Sequence, residues 1–268
     1  MLIADRLLCI GGLLTVLGAE AFAQSGSNVP KPCNATNAPA LDHAIIAVQD
    51  LSAATDAFRR AGFRIKPGRL HANGLLNNHI KFPDGTEIEL MTVQGNAGDA
   101  MARRYADVIA LGDGGIYVAL KAADIDVVDR HARSVGLSTR RSSSGPWQFL
   151  GFNDTTAAAV FFTSGGGAVQ DADSIFRHEP RVTTLSEVWI EGGAALERLL
   201  VQAGAIECGN AIGPDKKTGR RFGLQNGSIV VAPARAGTRP RVLGVVLDTP
   251  NPEPRVIKPV PQFWIQYR

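Results

Sequence analysis

The sequence predicts an α+β protein in which tandem βαβββ modules form curved, mostly antiparallel sheets with helices outside. Two observations predict it: a unit of strand, helix and three strands recurs along the chain, and tight-turn signals join the last two strands of each copy. One unit exposes a sheet face that it cannot bury alone, so we expect pairs of units to form sheets of about eight strands. The concave face of such a sheet is suited to bind a ligand, and we call it the cup.

The first unit spans residues 41–93. Its helix has apolar residues at helical spacing, namely Leu51, Ala54, Phe58 and Ala61. Strands are predicted at four places: residues 43–48, 63–65, 77–82 and 87–93. The turn Pro83-Asp84-Gly85 joins the last two, because glycine tolerates positive φ and aspartate caps a turn.

The unit recurs at fixed intervals. Asp50 and Gly62 are twelve residues apart, and so are Asp124 and Gly136. The sequence therefore predicts one module at residues 41–93, a second at 113–164 that pairs with it within 41–168, and a third plus a degenerate fourth at 181–268. The fourth is degenerate because a proline-rich stretch stands where its helix is expected.

The N-terminus predicts export. Residues 1–23 are interpreted as a signal peptide, since Arg6 precedes an apolar run and Ala21-Phe22-Ala23 matches a cleavage signal. An uncleaved anchor is the alternative. After cleavage we expect residues 24–40 to be a flexible N-terminal segment of a secreted or periplasmic protein without stable membrane association.

Composition and cysteine usage narrow the class further. Export allows a disulfide between Cys33 and Cys208, and two unpaired core thiols are the alternative. The net charge is +3 without a basic run, and aromatic residues make up 6% of the chain. Nucleic-acid binding favours a basic stripe and stacking platforms, so a nucleic-acid partner is not expected.

Polar residues of the first unit follow a known pattern. They are Asp42-His43, His71, Gly74-Leu75-Leu76-Asn77, Asp84-Gly85 and Glu89-Leu90. This pattern resembles the vicinal-oxygen-chelate superfamily, in particular its glyoxalase-like branch, with Leu75 in the place of a threonine. The resemblance is detailed over residues 41–93 and architectural over residues 114–248.

The resemblance implies a divalent metal in the cup, where it chelates two neighbouring substrate oxygens. His43 and Glu89 match the ligand positions of the first and fourth strands, and their chemistry suits Zn, Ni, Mn or Fe. The corresponding positions are Tyr117 and Ala159 in the second module and Glu187 and Val231 in the third. Three protein ligands are the usual minimum of a catalytic metal site. We predict His79 as the third ligand, with Tyr117 or Glu187 as alternatives.

Further site residues follow from the same segment. Glu87 shares a strand face with Glu89 and, like Glu187, is predicted as a catalytic general base. His71, Asn77 and Tyr117 are predicted to bind substrate. For His43 the alternative is a hydrogen-bonded core histidine, and for Glu87 a solvated side chain.

The predicted function is that of a glyoxalase-like protein acting on a small oxygen-rich molecule at this metal, as a lyase, isomerase or dioxygenase. Two alternatives stay open. One is metal-free binding or sequestration of a small molecule, and the other is a structural module whose cup is filled by side chains.

Overall fold

A computed structural model describes residues 33–166, 171–251 and 253–268. The predicted signal peptide at residues 1–23 lies outside the described residues, as does the start of the expected flexible segment at 24–32. Within the described ranges, no helix combines the length and apolar character needed to cross a bilayer.

The elements follow the predicted repeat. The helices are α1 (Leu51–Arg60), α2 (Ala100–Ile109), α3 (Ile125–Ser134) and α4 (Ala194–Gln202). The first repeat contains β1 (Ala40–Ala47), β2 (Lys66–Leu70), β3 (Leu75–Lys81) and β4 (Glu87–Val93). The second contains β5 (Gly114–Lys121), β6 (Thr139–Ser144), β7 (Trp147–Phe152) and β8 (Val160–Gly165).

The third repeat contains β9 (Thr184–Gly192), β10 (Ile206–Ile212), β11 (Thr218–Gly223) and β12 (Ser228–Pro233). The fourth contains β13 (Val242–Asp248), β14 (Val256–Val260) and β15 (Phe263–Tyr267), and its described residues form no helix. The predicted degeneracy is therefore the loss of the helix and one strand.

The strands form two sheets, and the predicted fold class is confirmed. The eight-stranded sheet has the order β2-β3-β4-β1-β5-β8-β7-β6, and the seven-stranded sheet β10-β11-β12-β9-β13-β15-β14. In each repeat the first strand pairs in parallel with the last, whereas the remaining pairings are antiparallel. Each sheet therefore unites two repeats through the antiparallel pairing of their first strands.

The pairing of β1 with β5 is symmetric. The Cα partners are His43 with Ala119 and Ile45 with Tyr117. Tyr117 occupies the repeat position of His43, and Ala119 that of Ile45, so the two pairs are exchanged by a pseudo-twofold axis. The repeat found in the sequence therefore appears in the sheet as a pseudo-twofold symmetry between the first two repeats.

Helix caps explain the repeated twelve-residue interval. Asp50 accepts a hydrogen bond from the amide of Ala53 (2.9 Å), and Asp124 accepts one from the amide of Asp126 (2.7 Å). Each of the two helices is followed by a glycine with positive φ, Gly62 at 91° and Gly136 at 85°. Aspartate and glycine therefore set where both helices begin and end.

One hydrophobic core joins the two sheets. It contains one face of each sheet together with α1, α3 and α4. The opposite face of each sheet is its cup face, which carries the separate apolar clusters described below. The cup faces of the two sheets are therefore separated by the shared core.

The predicted strands differ from the observed ones mainly at the sheet edges. The segment 63–65, predicted as the second strand, is irregular, and β2 begins at Lys66 instead. The sequence analysis also did not predict β6, β10 or β14. These four strands are the four sheet edges, and most of their side chains are exposed.

The described part of the expected flexible segment packs against the third repeat. A disulfide joins Cys33 to Cys208, with their Cα atoms 6.2 Å apart. The amide of Ala35 donates to the carbonyl of Leu224 (2.9 Å). The Asn226 side chain accepts from the Leu41 amide (2.7 Å) and donates to the Leu41 carbonyl (3.0 Å). Residues 33–41 thus tie β1 to the third repeat.

We expect removal of the disulfide to destabilise the protein without changing its fold. The double variant Cys33→Ser, Cys208→Ser should lose about 2–5 kcal/mol of unfolding free energy, since the cross-link restricts a long loop in the unfolded chain. Urea denaturation of the variant and of the oxidised and reduced wild type measures this loss. Equal midpoints for all three would contradict the stabilising role.

Candidate functional site

Four of the predicted site residues lie together on the cup face of the first repeat. Strands β3, β4 and β1 are neighbours, and alternate residues of a strand share a face. In the strand register His79 lies opposite Glu89, and His43 lies opposite Glu87. We call His43, His79, Glu87 and Glu89 the histidine–glutamate patch.

Side chains of the patch meet in two diagonal pairs. Nε2 of His43 lies 3.8 Å from Oε2 of Glu89. Nδ1 of His79 lies 3.2 Å from Oε1 of Glu87. The patch therefore consists of two imidazole–carboxylate pairs side by side.

Asn77 fixes the carboxylate of Glu89. Glu89 is 8% exposed, and a buried carboxylate is costly without hydrogen bonds. Nδ2 of Asn77 donates to Oε1 of Glu89 (2.6 Å), while Oδ1 of Asn77 accepts from the amide of Arg69 (2.8 Å). One carboxylate oxygen is thus held by Asn77, and the other faces His43.

Negative charge around His43 keeps its ring protonated. Burial disfavours the charged imidazolium, but the hydrogen bond and charge of Asp42, with the charges of Glu89 and Glu87, outweigh it and raise the pKa of His43 to about 9. Burial also disfavours ionisation of Glu87, but the His79 hydrogen bond and the charges of His43, His79 and Lys81 lower its pKa. At neutral pH His43 is thus cationic and Glu87 anionic.

A lysine–aspartate cluster borders the patch. Nζ of Lys81 lies 3.5 Å from Oε2 of Glu87 and 2.8 Å from Oδ2 of Asp171. Asp171 also pairs with Lys66. These contacts join the end of β3 to the segment that follows β8.

Helix α2, which the sequence analysis did not predict, covers part of the cup face. Ala102 and Tyr105 are buried against an apolar cluster that includes Ile45, Met91 and Tyr117. Burial, reinforced by the charge of Glu89, raises the pKa of Tyr105 well above its usual range. The signal in the sequence is Asp99, which accepts from the Ala102 amide (2.8 Å) and caps the helix.

The second repeat contributes an aromatic wall. The strand register places Phe161 opposite Ala119, as Glu89 lies opposite Ile45, so Phe161 rather than Ala159 occupies the Glu89 position. The Phe161 ring packs edge-on against the rings of His43 and Tyr117, with centroid distances of 5.8 Å and 5.9 Å. The second repeat therefore places aromatic rings at the two positions where the first repeat has the metal-capable His43 and Glu89.

Glu187 lies on the other sheet. It accepts hydrogen bonds from Nε of Arg221 (2.7 Å), Oγ of Ser228 (2.9 Å) and Nε1 of Trp189 (2.7 Å). The cup face there is filled by an apolar cluster: Trp189, Ala211, Val230, Ala232, Leu243, Val246 and Trp264. Val230, not Val231, occupies the Glu89 position, because it lies opposite Trp189. The structure therefore does not bring Glu187 to the patch.

His71 lies in the turn between β2 and β3. Its amide donates to the carbonyl of Leu75 (2.7 Å), and its carbonyl accepts from the amide of Gly74 (3.0 Å). Its buried Nε2 has no hydrogen-bond partner among the described residues. The structure places Asn77 and Tyr117 beside the patch, whereas His71 has a role in the turn.

The patch offers part of a metal-ligand set. Within the described ranges, no three His, Cys, Asp or Glu side chains come close enough together to hold a metal ion. His43 and Glu89 face each other, and an imidazole and a carboxylate both suit a divalent ion, which His43 would bind only after losing its proton. The other imidazole of the patch belongs to His79, which contacts Glu87. The patch therefore presents two ligands that face each other, and a third would require His79 to turn away from Glu87.

Comparison with known proteins assigns the family. The model of the family described as "Glyoxalase-like domain" matches residues 41–200, and the chain belongs to this family. The predicted resemblance is thereby confirmed. No curated protein sequence matches the chain.

Solved structures share the fold at low sequence identity. A hypothetical protein from Staphylococcus aureus has a TM-score of 0.59 and 13% identity, with 85% of this chain and 98% of that protein covered. Homoprotocatechuate 2,3-dioxygenase from Arthrobacter globiformis has a TM-score of 0.57 and 11% identity, covering 88% and 81%. A variant of 4-hydroxymandelate synthase from Streptomyces coelicolor has a TM-score of 0.56 and 10% identity, covering 86% and 92%.

We expect Glu187→Gln to affect stability and not ligand binding at the patch. The substitution leaves Arg221 without its carboxylate in a buried position, which should cost about 3–5 kcal/mol of unfolding free energy. Urea denaturation measures the loss, and Glu253→Gln, at an exposed position, is the control. An unchanged stability together with weakened binding at the patch would restore Glu187 as a site residue.

Proposed function

We propose that the cup face of the eight-stranded sheet binds a divalent metal ion and a small oxygen-rich molecule. His43 and Glu89 would hold the ion, with His79 as the third protein ligand. The observation that supports this is the placement of four metal-capable side chains on one face of three neighbouring strands. His79 lies directly opposite Glu89 in the register, so the third donor is a cross-strand neighbour of the second.

The proposed reaction is of the lyase, isomerase or dioxygenase type. A divalent ion held there would act as a Lewis acid on an oxygen of the bound molecule. Glu87 would move a proton, because its carboxylate is ionised beside His79 and lies on the same face as Glu89. Asn77 would keep the Glu89 carboxylate oriented through its 2.6 Å hydrogen bond.

The surroundings shield the patch from water in part. Tyr105 of α2 and the rings of Tyr117 and Phe161 line the cup beside the patch. Charges in such an environment interact more strongly than in water. The dioxygenase and the synthase that share this fold support an enzyme acting on a small molecule.

Metal-free binding is a second candidate, and a specific observation favours it. Both carboxylates of the patch already have protein partners, Asn77 for Glu89 and His79 for Glu87. The positions of the second-repeat ligands are occupied by Tyr117 and Phe161. In this version His43 and Glu89 would hydrogen-bond the molecule directly.

Export remains part of the proposal. The disulfide between Cys33 and Cys208 supports it, since such bonds persist mainly in oxidising compartments. The protein would then meet its ligand in the periplasm or outside the cell.

Calorimetric titration with Mn²⁺, Zn²⁺, Ni²⁺ or Fe²⁺, after treatment with a chelator, tests the metal site. We expect one ion per chain and at least about 100-fold weaker binding in His43→Ala and in Glu89→Gln, because each removes a direct ligand. His131→Ala is the matched control, since His131 lies on α3 and outside the patch.

Circular dichroism and thermal melting establish that each variant is folded. Binding that neither His43→Ala nor Glu89→Gln weakens would contradict a metal at the patch. If the wild type binds none of the four ions, metal-free binding becomes the leading function.

A further inference from the structure

A cavity of about 450 Å³ opens beside α2, and none of its lining residues belongs to the histidine–glutamate patch. Four arginines line it: Arg103 and Arg104 of α2, Arg140 of β6 and Arg239 of the loop before β13. The lining also includes one carboxylate, Asp107. The cavity therefore gathers positive charge from three separate segments of the chain.

These four arginines converge on the cavity without carboxylate partners among the residues that the structure describes. In the described part of the chain, none of the four forms an ion pair. Arg141, the next residue of β6, pairs with both Asp126 and Asp129. Of these two adjacent residues, Arg141 is held by aspartates and Arg140 lines the cavity. Arginines left without carboxylates at one cavity are suited to bind an anionic ligand.

Arg104 is held in place at the base of this cluster. Its guanidinium lies 4.6 Å from the centre of the Tyr117 ring, and Nη2 donates to the carbonyl of Ala158 (2.6 Å). Its Nε is buried and has no hydrogen-bond partner among the described residues. The orientation of this guanidinium is therefore set by Tyr117 and Ala158 and not by a carboxylate.

Repulsion within the cluster is also evident. Burial lowers the pKa of Arg104, and although Tyr117 opposes this, the positive charges of Arg239 and Arg140 lower it further. A bound anion would remove this repulsion. Phosphate and carboxylate groups match the guanidinium fork, which donates two parallel hydrogen bonds.

We propose that Arg103, Arg104, Arg140 and Arg239 bind the anionic group of a small molecule, a phosphate ester or a carboxylic acid. The volume is within the range of small-molecule sites, about 300–1,000 Å³. The site is assembled from the first pair of repeats and from a loop of the second pair. It uses no residue of the patch and does not depend on the proposed metal.

Calorimetric titration of the whole chain tests this site, with inorganic phosphate, glycerol 3-phosphate and citrate as probes in a low-salt buffer. Arg140→Gln and Arg239→Gln should each weaken the binding of the preferred probe about tenfold, and the double variant about 100-fold. Arg235→Gln, an exposed arginine of the same loop, should leave it unchanged. Preference for a phosphate probe or for citrate identifies the class of the natural ligand.

Arg103→Gln is the second test, because Arg103 is exposed on α2 and its substitution does not disturb packing. It should also weaken binding about tenfold. The proposal is overturned if none of the probes binds, or if Arg235→Gln weakens binding as much as Arg239→Gln does. Equal affinities of wild type and double variant would overturn it as well.

Discussion

The antiparallel pairing of β1 with β5 joins the first two repeats edge to edge and places His43 at the middle of the eight-stranded sheet. A single repeat would leave the first strand with an unpaired edge, whose amide and carbonyl groups need partners. The same pairing of β9 with β13 builds the second sheet. Helix positions, the shared core and both cup faces follow from these two pairings.

The two sheets use this scaffold differently. The cup of the first carries two imidazole–carboxylate pairs beside an aromatic wall, whereas the cup of the second is packed around Trp189 and Trp264. Glu187 illustrates the difference, because its carboxylate accepts hydrogen bonds from Arg221, Ser228 and Trp189. Polar chemistry is therefore concentrated in the first repeat, and the second sheet contributes structural support and the loop that carries Arg239.

The sequence predicted the central strands because their apolar residues recur with the repeat. It misplaced β2 and did not predict β6, β10 and β14, since an edge strand with exposed side chains lacks an apolar pattern. The family resemblance selected His43 and Glu89 as ligand positions, and alternation along β4 placed Glu87 on the same face as Glu89. The repeat does not encode tertiary packing between distant segments. Such packing separates the two cup faces and brings Arg104 and Arg239 to one cavity.

The proposed metal site requires that His43 and Glu89 hold a divalent ion. Anomalous diffraction from crystals grown with Mn²⁺, measured on both sides of the manganese absorption edge, locates such an ion. We expect one strong anomalous peak between Nε2 of His43 and Oε2 of Glu89, with His79 turned towards it. A protein that crystallises with manganese bound elsewhere, while the Asn77–Glu89 and His79–Glu87 contacts stay intact, would contradict it.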